Sequence, residues 1–160
     1  MTTSIRERLD AMRAFYAEGH TREPAFRKEY LRRLQEAVKA HEQEIAEALY
    51  ADLHKSAEES YIRATANVLA EIRDQLRHLE RRARSRRVPT PLFLFPSASR
   101  IIREPQGVVL VMAPWNYPFQ LALDPLVGAL AAGNCVALKP STTSARTCRL
   151  IGNILGEIFP

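Results

Sequence analysis

The sequence predicts an α/β fold in which N-terminal helices lead through a β-hairpin into a β-α-β-α unit. Three observations carry this reading. Through roughly the first 80 residues, apolar side chains recur every three or four positions, the period of helices buried along one stripe. Gly107 to Met112 and Cys135 to Leu138 are short apolar runs, as expected of parallel strands buried on both faces. A segment of helical length follows each run, and strand–helix alternation builds a parallel sheet.

The bulk properties narrow the class. With 160 residues the chain is long enough for one real core, burying roughly 70% of its unfolded surface. A composition 46% hydrophobic and 26% charged is that of a soluble globular protein. Cys135 and Cys148 are too few for a disulfide framework and have no metal-ligand spacing, so no metal is expected and a reducing, cytoplasmic setting is the default. The N-terminus lacks the apolar stretch of a signal peptide, and no apolar run reaches the length of a membrane span. A formal charge of +5 favours anions without choosing among nucleic acid, acidic lipid and a phosphate-bearing cofactor.

The first helix is expected over Ile5 to Ala17, ended by Gly19. Thr21 is placed to cap a second helix with Pro24 in its first turn, where the missing N–H costs nothing. Phe26, Tyr30, Leu34, Val38, His41, Ile45 and Leu49 continue it at helical spacing. Ser56 and Glu59 form a capping box that opens a third helix. Its apolar line is Ile62, Thr65, Leu69, Ile72, Leu76 and Leu79. The alternating steps of three and four admit a coiled-coil partner, but the line covers too few heptads, and packing within the domain is the better reading.

Six arginines follow: Arg77, Arg81, Arg82, Arg84, Arg86 and Arg87. A nucleic-acid patch normally pairs such residues with stacking aromatics, and no aromatic lies between Tyr61 and Phe93. A solvated helix end, where positive charge complements the macrodipole, is favoured, and no nucleic acid is expected as a partner. Leu92–Phe95 and Arg100–Arg103, around the Pro96–Ser99 turn, read as two strands of a hairpin. Both runs are apolar on both faces, so the hairpin needs cover, either from its own domain or from another subunit.

In the last third, Val108 to Met112 is the first buried strand. Pro118 to Ala132 is a helix that starts late or kinks at Asp124-Pro125, and Gly133-Asn134 ends it. Cys135 to Leu138 is the second strand. Thr143 or Ser144 caps a last helix, with Cys148, Ile151, Leu155 and Ile158 on one face.

A right-handed crossover makes the two strands parallel, so the Pro114–Tyr117 loop and Lys139 leave their carboxyl ends on one edge of the sheet. Open α/β sheets bind ligands along that edge. Trp115 offers a flat face, Asn116 an amide and Lys139 a cation. Two readings stay open at this point. The three residues face one ligand crevice, or Trp115 caps the core, Asn116 shapes a turn and Lys139 is solvated. No Gly-x-Gly-x-x-Gly is present to favour the first.

Glu104-Pro105-Gln106-Gly107-Val108-Val109, Pro114-Trp115-Asn116-Tyr117-Pro118, Ala131-Ala132-Gly133-Asn134 and Leu138-Lys139-Pro140-Ser141 resemble the aldehyde dehydrogenase superfamily in order and spacing. The likeness is closest to its class 3, fatty-aldehyde-type branch. Ala48-Leu49-Tyr50-Ala51-Asp52-Leu53 followed by Lys55-Ser56 resembles that branch's upstream helix junction. The hairpin after Pro91 matches its oligomerisation hairpin in position.

The resemblance implies the first part of a Rossmann-like NAD(P)-binding domain, with residues 1–87 as its helical N-terminal part, 88–104 as an oligomerisation hairpin and 105–160 as the leading β-α-β-α portion. It implies oxidation of a small-molecule aldehyde to a carboxylic acid with NAD or NADP, through a cysteine thioester, in a homo-oligomer such as a dimer. Asn116 matches the oxyanion asparagine, whose amide is typically worth ~3 kcal/mol to the transition state. Lys139 matches the lysine that bonds the adenosine ribose; Pro114 and Trp115 match the cofactor channel; Ser141 and Thr142 fall in the cofactor-binding stretch. Thr142 stands where many members carry a ribose-binding glutamate, and a hydroxyl tolerates a 2′-phosphate that a carboxylate would repel. NADP is therefore expected to be accepted at least as readily as by Glu-bearing relatives.

The family's nucleophilic cysteine, general-base glutamate and second glycine-rich loop have no counterpart here. Cys135 is mid-strand, Cys148 sits on the apolar face of the last helix, and buried cysteines behave as small hydrophobes. The expectation is an N-terminal portion, inactive alone. The alternative is a truncated subunit that acts only by associating with full-length enzyme.

Overall fold

The computed structural model describes residues 4–159. Ser4 opens helix α1 (Ile5–Ala17) through a capping box: its hydroxyl accepts from the Glu7 N–H, and the Glu7 carboxylate accepts from the Ser4 N–H. Gly19, at φ 85°, turns the chain out of α1 as expected. The cap expected at Thr21 is absent. The left-handed turn at Gly19 leads into a 3-10 turn, His20–Arg22, which absorbs Thr21. Glu23 therefore holds the N-cap of α2 (Pro24–Ala40), with no side-chain hydrogen bond and Pro24 in the first turn.

The helical line from Phe26 to Leu49 spans two helices rather than one. The chain breaks at His41 (φ −97°, ψ 16°) and resumes as α3 (Glu42–Leu53). Leu31, Leu34 and Val38 before the break, and Ile45 and Leu49 after it, all reach the same buried core, so the period survives the joint. Ser56 caps α4 (Ala57–Ser60), accepting from the Glu59 N–H at 3.2 Å. The reciprocal half of that expected box is not made; the Glu59 carboxylate turns toward Lys55, 3.9 Å away.

A π turn, Tyr61–Thr65, joins α4 to α5 (Ala66–Ala83). Its extra residue rotates the helix face locally, which takes Ile62 out of the predicted apolar line, while Leu69 and Leu76 still pack on the core. Ile62 is 60% exposed, whereas Ala64, Thr65, Val68, Ile72 and Leu79 are buried. Helix α5 packs on α2 and on α6 (Gln120–Ala131), as the domain-packing reading required. Its last turn holds Arg81 and Arg82, and Arg82 pairs with Asp74 at 2.7 Å.

The hairpin forms, with other strands than expected. Strand β1 (Arg86–Val88) pairs antiparallel with β2 (Ser99–Ile101), while Leu92–Leu94 is a 3-10 turn in the connecting loop. The Leu94 and Phe95 N–H groups donate back to the Pro91 and Leu92 carbonyls at 3.0 Å, so the 3-10 turn uses two of the N–H groups that a ladder would need. Two of the six arginines, Arg86 and Arg87, thus belong to a strand and not to the helix end. Leu92, Phe93 and Phe95 are more than 80% exposed at the loop.

Strand β3 (Val108–Met112) pairs in parallel with β4 (Cys135–Lys139), in the register Val108↔Cys135 to Met112↔Lys139. Burial on both faces was expected and is only half met. Val136 and Leu138 pack on the core, but Leu110 and Met112, on the alternate face, are 63% and 69% exposed. Between the strands α6 starts late, at Gln120, with Pro125 inside it. Gly133 (φ 91°) ends it, and the buried Asn134 side chain donates to the Ala129 carbonyl and accepts from the Gly107 N–H. One amide thus ties the end of α6 to the start of β3.

The last helix, α7 (Ala145–Ile158), buries Thr147, Leu150, Ile151, Ile154 and Ile158. Ser144 holds its N-cap position, but Ser144 makes no capping bond. The cap comes from Asp52 at the end of α3, which accepts from the N–H groups of Arg146 (3.1 Å) and Thr147 (2.8 Å) and from the Thr147 hydroxyl (2.8 Å). No described helix is long and apolar enough to cross a membrane.

Candidate functional site

The parallel register puts Met112 beside Lys139, so both strands end at the same edge of the sheet. One further bond, from the Ala113 N–H to the Lys139 carbonyl at 3.1 Å, carries the pairing past β3. Pro114, Trp115 and Asn116 then form an exposed loop, with Trp115 at 55% exposure. Lys139, exposed, closes β4 at that edge, and the Pro140–Ser144 loop follows it. Ser141, half-buried, accepts from the Thr143 N–H at 3.3 Å, and Thr142 is exposed. The six candidate residues thus lie on the two loops that leave the carboxyl ends of adjacent parallel strands.

The two loops touch. The Ser144 hydroxyl donates to the Trp115 carbonyl at 3.1 Å. A third segment braces them from outside the sheet. His54, in the left-handed region at φ 54°, turns the chain after α3 so that Asp52 caps α7 while Lys55 reaches the other loop. The Lys55 ammonium donates to the Asn116 carbonyl at 3.2 Å and lies 3.6 Å from the centre of the Tyr117 ring. Burial holds its pKa below the usual lysine value, with the nearby Glu59 carboxylate opposing that shift. Sequence reasoning passed over Asp52 and Lys55 as site residues. No spacing rule joins the end of α3 to loops on the far side of the fold.

The arrangement offers an adenine nucleotide some contacts and withholds others. Lys139, with the hydroxyls of Ser141 and Thr142 following it, presents a cation and two hydroxyls at this edge. The first turn of α7 is not available for a pyrophosphate, because the Asp52 carboxylate already takes two of its N–H groups. This agrees with the missing glycine-rich fingerprint. A separate cavity of about 720 Å³ opens between α1, α2, α6, β4 and α7, lined by Met12, Phe15, Tyr30 and Leu130 among others, and none of the six candidates borders it. Neither cysteine is bonded, and burial pushes the Cys135 thiol up, away from a reactive thiolate. Among the described residues no cluster suits a metal ion.

Comparison with known proteins agrees with this architecture. The model of the aldehyde dehydrogenase family matches residues 2–160. The chain is 41% identical to 4,4'-diaponeurosporen-aldehyde dehydrogenase of Staphylococcus aureus over 155 residues, covering 97% of this chain and 34% of that protein. It is 42% identical to human aldehyde dehydrogenase family 3 member B1 over 152 residues, covering 95% of this chain and 32% of the relative. Among solved structures, a substrate-bound state of Staphylococcus aureus AldH superposes with a TM-score of 0.96 at 40% identity, over 99% of this chain and 34% of that one. A Staphylococcus aureus betaine aldehyde dehydrogenase in complex with NAD+ superposes with a TM-score of 0.79 at 28% identity, over 95% and 30%. The chain spans about a third of the length of the curated relatives it matches.

Proposed function

The chain belongs to the aldehyde dehydrogenase family, and we propose that it supplies the oxyanion donor and the adenosine-side cofactor contacts of an NAD(P)-dependent enzyme that oxidises an aldehyde to a carboxylic acid. The observation that carries this reading is the meeting of the Pro114–Tyr117 loop and the Lys139–Ser144 loop at one sheet edge. In this reading the Asn116 side-chain amide donates to the aldehyde oxygen as negative charge develops on it. Lys139, with the Ser141 and Thr142 hydroxyls, holds the ribose of NAD or NADP. Pro114 and Trp115 line the channel beside the cofactor. A bound nicotinamide would supply the hydride acceptor for the substrate carbon.

This reading takes the attacking thiol from outside these residues, since Cys135 and Cys148 are half-buried and burial pushes the Cys135 thiol up. Alone, residues 1–160 are expected to bind a dinucleotide weakly and to turn over no aldehyde. Residues 1–87, 88–104 and 105–160 are proposed as helical support, oligomerisation hairpin and first part of the cofactor-binding domain. The exposed Leu92, Phe93 and Phe95 favour assembly into a homo-oligomer through that hairpin, or with a full-length subunit. Two unbonded cysteines suit a reducing, cytoplasmic compartment.

Trp115 is the sole tryptophan and a neighbour of the proposed channel, so its emission reports dinucleotide binding directly. Titration with NADH and NADPH should give saturable quenching that Lys139→Met weakens by about tenfold, the scale of one lost charge-assisted hydrogen bond. Thr142→Glu should weaken NADPH more than NADH. Quenching indifferent to Lys139→Met would overturn the assignment of the ribose site, and an unchanged preference in Thr142→Glu would overturn that of Thr142.

A further inference from the structure

Asn116 acts only if its amide points at the reacting oxygen, and the backbone around it is held in an unusual way. Two carbonyls flank its Cα, and each is bonded by a different element. The Trp115 carbonyl accepts from the Ser144 hydroxyl at 3.1 Å, which fixes the peptide plane before Asn116. The Asn116 carbonyl accepts from the Lys55 ammonium at 3.2 Å, which fixes the plane after it. With both planes held, φ and ψ of Asn116 are set, and with them the direction of its Cα–Cβ bond. The Lys55 cation is itself well placed. It lies 3.6 Å from the centre of the Tyr117 ring and 3.9 Å from Glu59, and its side chain is only 13% exposed. Sequestered from water, a cation over a ring is worth more than an exposed one.

We propose that Lys55 is the positioning residue for the Asn116 amide: its cation, clamped between the Asn116 carbonyl and the Tyr117 ring, presets the amide toward the crevice. Asp52, on the same segment, braces the other wall by capping α7. The end of α3 and the turn after it therefore hold the Asn116 loop and the first turn of α7 at once. Lys55 touches neither substrate nor cofactor in this assignment, and the inference rests on the reading of Asn116 as the oxyanion donor.

The test uses the chain itself, with Trp115, adjacent to Asn116, as the reporter. In Lys55→Met the loop loses its cation, and acrylamide quenching of Trp115 is expected to rise by about twofold or more, while far-ultraviolet dichroism is unchanged. Lys55→Arg, which keeps a long cation, is expected to stay near the parent. Equal rises in Lys55→Met and Lys55→Arg would mean that the stem and not the cation orders the loop, and would overturn the proposal. So would no rise in either variant. If Lys55→Met does not fold, Lys55→Gln is read instead, and an unchanged quenching there has the same force.

In a longer form that turns over an aldehyde, Lys55→Met should lower kcat by about tenfold with both KM values within about twofold. Asn116→Ala is measured beside it. If Asn116→Ala leaves kcat unchanged, the oxyanion reading fails. If Asn116→Ala lowers kcat and Lys55→Met does not, the positioning role alone fails.

Discussion

At the scale of single residues, Arg27 shows how a charge that sequence pattern treats as surface becomes part of the core. It lies on α2 among Leu31 and Leu34, is 8% exposed, and donates to the carbonyls of Thr21 (2.6 Å), Arg22 (2.7 Å) and Ala131 (3.3 Å). Burial lowers its pKa, with Glu23 opposing, yet a guanidinium stays charged across the physiological range. The Ala131 carbonyl belongs to the last turn of α6, where a cation meets the negative end of the helix. Gly133, just beyond, leaves room for the guanidinium: a Cβ there would approach Arg27 to 2.7 Å, at a φ that already disfavours one. Arg27→Met would keep the stem's packing and orphan three carbonyls. A loss of about 2–4 kcal/mol is expected by denaturant unfolding, against little change if those carbonyls are otherwise satisfied. Gly133-Asn134 was readable as a helix stop. That Asn134 also accepts from the Gly107 N–H was not, because a residue's partner in space leaves no mark in local pattern.

Among elements, the sequence was most legible where periodicity is a local matter and least where one element depends on another. The three leading helical stretches, both parallel strands and the late start of α6 were readable from period and punctuation. The Leu92–Phe95 run has the apolar character of a strand but forms a 3-10 turn, whose local bonds from Leu94 and Phe95 no alternation pattern announces. The π turn at Tyr61–Thr65 leaves Ile62 exposed while Thr65, Leu69, Ile72, Leu76 and Leu79 keep the expected face, a local departure invisible to a count of threes and fours. The break at His41 was hidden because both helices bury the same face. That joint is also where pH should be felt. His41 bridges Glu44 of α3 (2.8 Å) and Glu157 of α7 (3.1 Å), and these hydrogen bonds, Glu44 first, raise its pKa above the usual imidazole value. A raised folded value means that the bridge stabilises fully below the unfolded imidazole pKa and fades as pH climbs through the folded one. His41→Gln should therefore lower the melting temperature clearly near about pH 5.5 and little near about pH 8.5. Equal losses at both would show that the charge contributes nothing.

Across the whole molecule, the residues of the candidate site and its braces come from three distant stretches: the end of α3 with the turn after it, the loop after β3 and the loop after β4. The second and third were foreseeable, because a strand–helix–strand unit brings its carboxyl ends to one edge. The first was not, because it is brought there by the packing of α3 against α7. The uncovered face of the sheet, with Leu110 and Met112 exposed, lies on the side that Lys139 shares by register. Its exposure corrects the expectation of strands buried on both faces. The proposed chemistry turns on one amide, and steady-state kinetics of Asn116→Asp test it in a polypeptide that carries this segment and oxidises an aldehyde. Aspartate keeps the size of asparagine while replacing its donor with a negative charge. If Asn116 is the oxyanion donor, kcat falls by about 10²–10³ with the dinucleotide KM nearly unchanged. A kcat within about twofold of the parent would contradict it, since an oxyanion donor cannot be exchanged for a carboxylate without loss.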